Sequence, residues 1–190
     1  KEIAITARRH NVLVHIDGAR IFNAAAAFDA PASDWGQYAD SVSFCLSKGL
    51  GAPVGSVLCG DERFIAKAHR FRKMLGGGMR QSGILAAAGL YALEHHMDDL
   101  RIDNERAKAF ALGLVGLPHV HIEPANVQTN ITIFDTPNHS AEFICEQFEP
   151  EARLLPMGKQ RVRAVFHRDL PSDVVARLLD VVSRRLSTIK

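Results

Sequence analysis

The chain has 190 residues, of which 47% are hydrophobic and 23% are charged, and this composition fits one ordinary globular domain or a larger domain with a small appendage. Lysine and arginine total 23 against 21 acidic residues, so the net charge of +2 gives no argument for binding to nucleic acid or to a membrane surface. No signal peptide opens the sequence, and no apolar run approaches the roughly 20 residues that a membrane span requires. We therefore expect a cytoplasmic protein.

The first residues and the cysteines complete these general observations. Residues 1–11 show the pattern of the middle of an amphipathic helix. A chain seldom begins there, so we expect that upstream sequence is absent. Cys45, Cys59 and Cys145 lack the spacing of metal ligands, and we interpret them as reduced thiols in the core.

Apolar runs of strand length alternate with helical patterns along the chain. Strands are predicted at Val12–Ile16, Ser41–Cys45, Val54–Cys59, Val120–Glu123, Asn130–Phe134 and Val162–Phe166. Helices are predicted at Lys1–Asn11, Ala19–Phe28, Glu62–Met74, Ser82–Leu114 with a break near His95, Ala141–Phe148 and from Pro171 to about Arg185.

The pattern changes near Gly116, and the order of elements defines the fold class. Residues 1–115 are predicted to be part of a large α/β domain, and residues 116–190 to be a small C-terminal α+β domain.

An acid and a base lie where the first predicted strand ends, in the segment His15-Ile16-Asp17-Gly18-Ala19-Arg20. Open α/β sheets bind ligands at the carboxyl ends of their strands, which makes Asp17 a candidate ligand contact. An aspartate followed by small residues is also typical of a helix N-cap. On these residues alone, both interpretations stay open.

Lys48 lies between a predicted buried strand and a glycine-rich loop, in the segment SFCLSKGLGAPVG at residues 43–55. A lysine in a partly dry site loses its proton more easily and becomes a nucleophilic amine. Gly49, Gly51 and Gly55 allow the backbone to come close to a bulky planar cofactor. The alternative is an ordinary turn with a solvated lysine.

Three motifs, in order and at matching spacing, carry a family resemblance. They are HIDGARIFNAA at 15–25, DSVSFCLSKGLGAPVGSVLCG at 40–60 and RKMLGGGMRQSGILAAAGLYALE at 72–94. Together they resemble the threonine aldolase branch of the β-eliminating lyases, which have the aspartate-aminotransferase-type fold. The likeness runs from Val12 to about Arg106 and continues more loosely to RVRAVFHRDL at 161–170. The resemblance therefore implies the C-terminal part of such a large domain, followed by the small domain.

The resemblance implies pyridoxal 5′-phosphate as the cofactor and assigns two residues to it. Lys48 matches the lysine that forms a Schiff base with the cofactor. Asp17 matches the aspartate that pairs with the pyridine nitrogen and keeps it protonated, so that the ring can accept electrons from the substrate Cα. Both residues are predicted to be catalytic and cofactor-binding.

Two arginines match those that hold the substrate carboxylate in the family. Arg20 and Arg163 are predicted to form this bidentate clamp, which fixes the Cα bond that stands perpendicular to the ring. Arg163 is preferred to Arg161 because it directly precedes AVFH at 164–167. A surface ion pair is the alternative for each arginine.

Lys73 and Arg80 flank the glycine triplet at 76–78. They resemble basic residues that the family places near the cofactor phosphate or the substrate, and they are predicted to bind the cofactor. A solvated basic face is the alternative. The resemblance also implies a homo-oligomer, dimer or tetramer, in which Lys73 or Arg80 reaches the active site of a neighbouring subunit.

The nine histidines do not stand in metal-site contexts, and no metal is predicted. His167 resembles a family position, although a packing role is the alternative. Family members carry a turn that cups the phosphate and a histidine that stacks on the ring upstream of the residues matched here. Neither has a counterpart in this sequence, so we expect the upstream portion of the large domain to be missing.

The function implied is cleavage of threonine or allo-threonine to glycine and an aldehyde by retro-aldol chemistry. The same ring could serve another β-elimination, racemisation or the cleavage of phenylserine, because the cofactor supplies the electron sink and the protein selects the bond. A non-catalytic fragment that retains the fold is the alternative from a different class. The partners predicted for the enzyme are a small amino-acid substrate and further copies of the same chain, and neither nucleic acid nor membrane is expected.

Overall fold

The computed structural model describes residues 1–189, and the chain divides into two compact units, Lys1–Asp98 and Asp99–Lys190. The first unit contains a three-stranded sheet with five helices. Its elements are α1 (Glu2–Arg9), β1 (His15–Asp17), α2 (Ile21–Phe28), α3 (Ser33–Gly36), β2 (Ser41–Cys45), β3 (Ser56–Gly60), α4 (Glu62–Met74) and α5 (Gly83–His95).

The sheet of the first unit has the order β1-β2-β3, with β1 parallel to β2 and β3 antiparallel to β2. In this register Asp17 lies opposite Ser43, and Cys45 lies opposite Ser56. Side chains alternate between the faces of a strand, so His15, Asp17 and Ser43 share one face. Phe44 lies on the other face, where its ring and that of Phe22 of α2 form a T-shaped pair with centroids 5.1 Å apart.

Local chemistry explains where the elements of this unit begin and end. The Asp61 carboxylate accepts a hydrogen bond from Phe64 N at 2.7 Å and caps α4, whose predicted bounds are confirmed. The first strand is shorter than predicted and begins at His15. The reason is that Val14 N donates to the Asp40 side chain at 2.7 Å rather than to a strand.

The second unit has a three-stranded antiparallel sheet of order β4-β6-β5, two helices that pack on the sheet and a third that packs against those two helices. Its elements are α6 (Asp99–Gly113), a 3₁₀ turn (Pro124–Asn126), β4 (Ile131–Asp135), α7 (Ala141–Phe148), β5 (Leu155–Pro156), β6 (Arg161–Val165) and α8 (Val174–Leu186). Phe110, Phe134, Phe148 and Phe166 are at most 1% exposed and form the centre of its core.

The two compact units divide before α6, earlier in the chain than the predicted domain division at residues 115 and 116. The physical reason is that Ala107, Phe110 and Ala111 of α6 are completely buried in the core of the second unit. In addition, the Ala107 carbonyl accepts a 2.8 Å hydrogen bond from the buried Thr132 hydroxyl. The domain assignment itself stays a prediction.

Two other expectations differ from the structure. The strand predicted at Val120–Glu123 is reduced to a single bridge between His121 and Asp135, because the chain turns at Pro124, which has no N–H to donate. Cys59 is exposed on β3 rather than buried, whereas Cys145 is buried and Cys45 is half-buried; all three are free thiols. Within residues 1–189, no helix combines the length and the apolar composition needed to cross a membrane.

Candidate active site

The carboxyl ends of the two parallel strands meet at one edge of the first unit's sheet. Asp17 is the last residue of β1, and Lys48 is the third residue after the end of β2. The structure therefore brings together the two residues that the sequence predicts as catalytic, at the sheet edge where α/β proteins bind ligands. Both side chains are exposed in the described chain.

Gly18 determines how the chain leaves β1 behind Asp17. Its N–H donates to the Ser43 carbonyl at 2.7 Å, and a Cβ at this position would lie 2.9 Å from that oxygen. Only glycine fits this close approach of the two backbones. The Asp17 Oδ1 accepts a 3.2 Å hydrogen bond from Ala19 N, so the carboxylate is oriented by the turn that follows it.

The Lys48 loop, residues 46–55, is closed by backbone hydrogen bonds. Gly51 N donates to the Lys48 carbonyl at 2.8 Å, and Ala52 N donates to the Leu46 carbonyl at 3.0 Å. Leu46 N in turn donates to the Gly55 carbonyl at 2.9 Å, at the entrance to β3. Gly51 and Gly55 have φ values of 71° and 114°, which favour glycine. The loop is thus an ordered support for the lysine.

His15 is a neighbour of this site whose contacts sequence reasoning missed. Its Nδ1 lies 2.9 Å from the Ser41 hydroxyl, and its Nε2 lies 3.3 Å from the Ser43 hydroxyl. Side chains alternate in the segments HID and SVS, so His15, Ser41 and Ser43 lie on the face that carries Asp17. This alternation is the sequence signal that could have predicted their contacts. A hydroxyl both donates and accepts, so the two serines can orient the ring in either tautomer.

Arg20 occupies the N-cap position of α2, three residues after Asp17. Its carbonyl accepts hydrogen bonds from Asn23 N at 3.0 Å and from Ala24 N at 3.2 Å, and its side chain is half-buried. The turn after β1 therefore carries both the predicted pyridine partner and one predicted carboxylate partner.

Lys73 and Arg80 stand on either side of the glycine turn at residues 76–78. Lys73 is in the last turn of α4, and its Cδ would lie 2.6 Å from a Cβ at Gly78. Arg80 is exposed in the loop between α4 and α5. The structure thus places both residues beside the glycine turn, and their contact with the cofactor stays a prediction.

Arg163 belongs to the second unit, where it is half-buried on β6 opposite Ile133. Arg161 on the same strand is engaged elsewhere, since its Nε and Nη2 donate to the Asp135 carboxylate at 2.7 and 3.2 Å. These hydrogen bonds hold the pKa of Asp135 below its usual range. Nearby, the His167 Nδ1 lies 3.4 Å from Asp169 Oδ2.

Asp103 is an ionisable residue that the sequence did not single out. It lies on α6 with its residue completely buried, and neither carboxylate oxygen has a hydrogen-bond partner among residues 1–189. The nearest cation is the Arg106 guanidinium at 3.9 Å. Burial raises the pKa of Asp103 from 3.8 to about 6, against the opposing charges of Arg106, His167 and Arg168.

Fold and site together define a class of protein: an α/β enzyme with a carboxylate and a lysine amine, the group that forms Schiff bases, after the carboxyl ends of two neighbouring strands. Residues 1–137 match the family described as β-eliminating lyase, and the chain belongs to this family. Members of this family depend on pyridoxal phosphate.

Two curated relatives and one solved structure show the extent of the similarity. The chain is 41% identical to low-specificity L-threonine aldolase 1 of Arabidopsis thaliana over 194 residues, which cover 100% of this chain and 54% of that protein. It is 55% identical to the low specificity L-threonine aldolase of Escherichia coli K12 over 100 residues, 53% of this chain and 30% of that protein.

The solved structure is the threonine aldolase of Leishmania major, with a TM-score of 0.72 at 15% identity over 97% of this chain and 55% of that chain. At this identity the likeness concerns the fold, and it confirms the predicted fold class. The chain spans about half the length of the curated relatives that it matches along most of its residues.

The residues at the sheet edge fit the reactive groups of pyridoxal phosphate. An exposed amine at Lys48 suits the aldehyde, and an exposed carboxylate at Asp17 suits a pyridinium nitrogen. Gly18 adds no side chain beside Asp17, where the contact with Ser43 leaves no room for a Cβ. The donor set is therefore chemically appropriate at both ends of the ring.

Proposed function

We propose that this chain carries the catalytic core of a pyridoxal-phosphate-dependent threonine aldolase, which cleaves threonine or allo-threonine to glycine and an aldehyde. One observation carries the proposal: Asp17 at the end of β1 and Lys48 in the loop after β2 both follow the carboxyl ends of two parallel strands of a β-eliminating lyase fold. The names of the aldolase relatives support the choice of substrate.

Each residue has a defined role in this reaction. When bound, pyridoxal phosphate supplies a sink for the electron pair released by the Cα–Cβ bond. Lys48 would hold the cofactor through its amine until the substrate amine replaces it, and Asp17 would hold the proton at the pyridine nitrogen. Arg20 would bind the substrate carboxylate and so turn the Cα–Cβ bond perpendicular to the ring. Loss of the proton of the β-hydroxyl and reprotonation at Cα complete the cleavage.

Arg163 remains a prediction for a second carboxylate contact. The alternative residue, Arg161, already donates hydrogen bonds to the Asp135 carboxylate, and this supports the choice of Arg163. Lys73 and Arg80 remain predictions for the cofactor phosphate, and a cytoplasmic location likewise stays a prediction.

The test of the proposed function is covalent trapping of the cofactor. The purified protein is incubated with pyridoxal phosphate, reduced with borohydride and mapped by peptide mass spectrometry. We expect the label on Lys48, its loss in Lys48→Ala, and its retention in Lys67→Ala, which removes an exposed lysine of α4. A label on another lysine, or none on the wild-type chain, would contradict the proposal.

We also propose a homo-oligomer, a dimer or a tetramer. Apolar side chains are exposed from the end of α4 to the start of α5, which supports a contact surface there. They are Phe71, Met74, Leu75, Met79 and Ile84, at 59–86% exposure. Sedimentation measures the oligomeric state, and a monomer at high concentration would contradict the proposal.

Sharing of active sites is tested by mixing inactive variants. If Arg80 serves the neighbouring site, mixed oligomers of Lys48→Ala and Arg80→Ala chains contain one intact site, and activity returns. The control mixes Lys48→Ala with Asp17→Asn chains; both residues act in one chain's own site, so no activity is expected. Demonstrated mixing without recovery in the first pair excludes action of Arg80 in trans.

A further inference from the structure

His96 forms a hydrogen bond that ties the end of α5 to the Lys48 loop. Its Nδ1 lies 2.7 Å from the Leu50 carbonyl oxygen, although the two residues are 46 positions apart in the sequence. A carbonyl oxygen only accepts, so the Nδ1 carries the hydrogen and donates. The contact is half-buried, and the edge of the Tyr91 ring lies against the imidazole at 5.4 Å.

The acceptor of this bond belongs to the turn that supports the lysine. Leu50 is 2% exposed and lies between Lys48 and Gly51, whose carbonyl and N–H close the turn at 2.8 Å. A buried carbonyl without a hydrogen-bond partner would destabilise this turn. The His96 ring therefore satisfies the backbone two residues beyond the reactive amine.

The same helix also contacts the other end of the loop. Gly89 of α5 is buried, and a Cβ at this position would lie 3.0 Å from the Leu46 Cδ1. Thus the Leu46 side chain packs closely against the backbone of α5 at Gly89, and the C-cap residue of α5, His96, is hydrogen-bonded to Leu50. The loop has fixed contacts on both sides of Lys48.

We infer that His96 is a positioning residue for Lys48: its Nδ1–H holds the Leu50 carbonyl and thereby fixes the loop from which the lysine amine meets the cofactor aldehyde. The inference rests on the proposed function for the role of Lys48. The hydrogen bond and its effect on the loop are independent of the cofactor.

The substitutions that test the inference separate the donor from the bulk of the ring. His96→Asn keeps an amide donor close to the position of Nδ1, whereas His96→Gln moves the donor to the position of Nε2. His96→Ala removes it, and His95→Ala is the matched control because that ring is exposed and adjacent. Denaturant unfolding of each variant identifies a general loss of stability.

The first measurement is amide hydrogen exchange of the peptide that contains Gly51 and Ala52, without cofactor. Loss of one such hydrogen bond corresponds to about tenfold faster exchange. We expect this in His96→Ala and His96→Gln, and exchange within about twofold of wild type in His96→Asn and His95→Ala. Unchanged exchange in His96→Ala, or equal acceleration in His96→Asn, would overturn the inference.

The second measurement is the rate at which pyridoxal phosphate becomes trapped on Lys48 by borohydride. We expect about a tenfold slower rate in His96→Ala and recovery in His96→Asn, relative to wild type. If wild type is labelled and His96→Ala is labelled equally fast, positioning by His96 is refuted while the proposed function stands. If wild type is not labelled at Lys48, both the proposed function and the positioning role of His96 are refuted. Hydrogen exchange would then report only on the contact between His96 and the loop.

Discussion

Replacement of Asp103 by asparagine should stabilise the protein at neutral pH, because the wild-type carboxylate is buried and has no hydrogen-bond partner within residues 1–189. Folding raises the pKa of Asp103 from 3.8 to about 6 by burial, which corresponds to about 3 kcal/mol. Below pH 3.8 both folded and unfolded chains are protonated, and the residue contributes no difference. Between these two pKa values Asp103 is ionised in the unfolded chain but still protonated in the folded one, so the free energy of unfolding falls as pH rises. Above pH 6 the whole loss of about 3 kcal/mol remains.

The assay is urea unfolding of wild type and Asp103→Asn from about pH 4 to about pH 8. The variant should match wild type at the acidic end and exceed it by up to about 3 kcal/mol at the other. Glu105→Gln, an exposed acid on the same helix, should show almost no such change. A gap between Asp103→Asn and wild type that does not vary with pH, or a less stable variant at neutral pH, would refute the reasoning. The second outcome would mean that the contact with Arg106 at 3.9 Å outweighs burial.

Three further predictions concern the site and its support. Asp17→Asn should leave the fold and cofactor uptake intact while glycine formation falls by orders of magnitude, since an amide cannot hold the pyridinium proton; near-normal turnover would remove Asp17 from the site. Gly18→Ala should lower the free energy of unfolding by about 1–3 kcal/mol because of the 2.9 Å approach to a carbonyl, whereas Gly36→Ala, with no atom within 4 Å, should be nearly neutral. Equal thermal shifts for the two would contradict this. Arg163→Lys should raise KM for the amino acid about tenfold, whereas Arg161→Lys, which weakens an exposed ion pair with Asp135, should leave KM unchanged. A raised KM in Arg161→Lys with an unchanged KM in Arg163→Lys would assign the carboxylate contact to Arg161 instead.

The sequence predicted those parts of the fold that depend on local pattern. Helix α4 was found at its observed bounds because it is amphipathic and glycines follow it, and β2 because Ser41–Cys45 is a short run between Asp40 and the polar, glycine-rich segment that starts at Ser47. The boundary of the compact units was not predicted. Phe110 of α6 is buried against Phe166, a contact between distant residues that no local pattern reveals.

The sequence predicted the residues of the candidate site that are recognised by their type and order. It did not predict the contacts that depend on the tertiary structure. Lys48 and Asp17 stand out because their chemistry is unusual beside strands. The hydrogen bond of His96 does not, since nothing in the run ALEHHM at residues 92–97 distinguishes the ring that reaches Leu50 from the one that faces solvent. The exposure of Cys59 was missed for a similar reason: an apolar strand pattern does not tell which strand lies at the edge of a sheet.

The register of β2 has a consequence for length variation among related chains. Insertion or deletion of one residue within β2 would exchange its two faces, turning Ser43 towards the Phe22 ring of α2 and Phe44 towards His15. The same change at residues 52–54, between the turn and β3, would leave both faces as they are. In alignments of related chains, gaps should therefore occur at residues 52–54 and be absent from β2. The chain length after Lys48 can then vary more than the chain length of the strand before it.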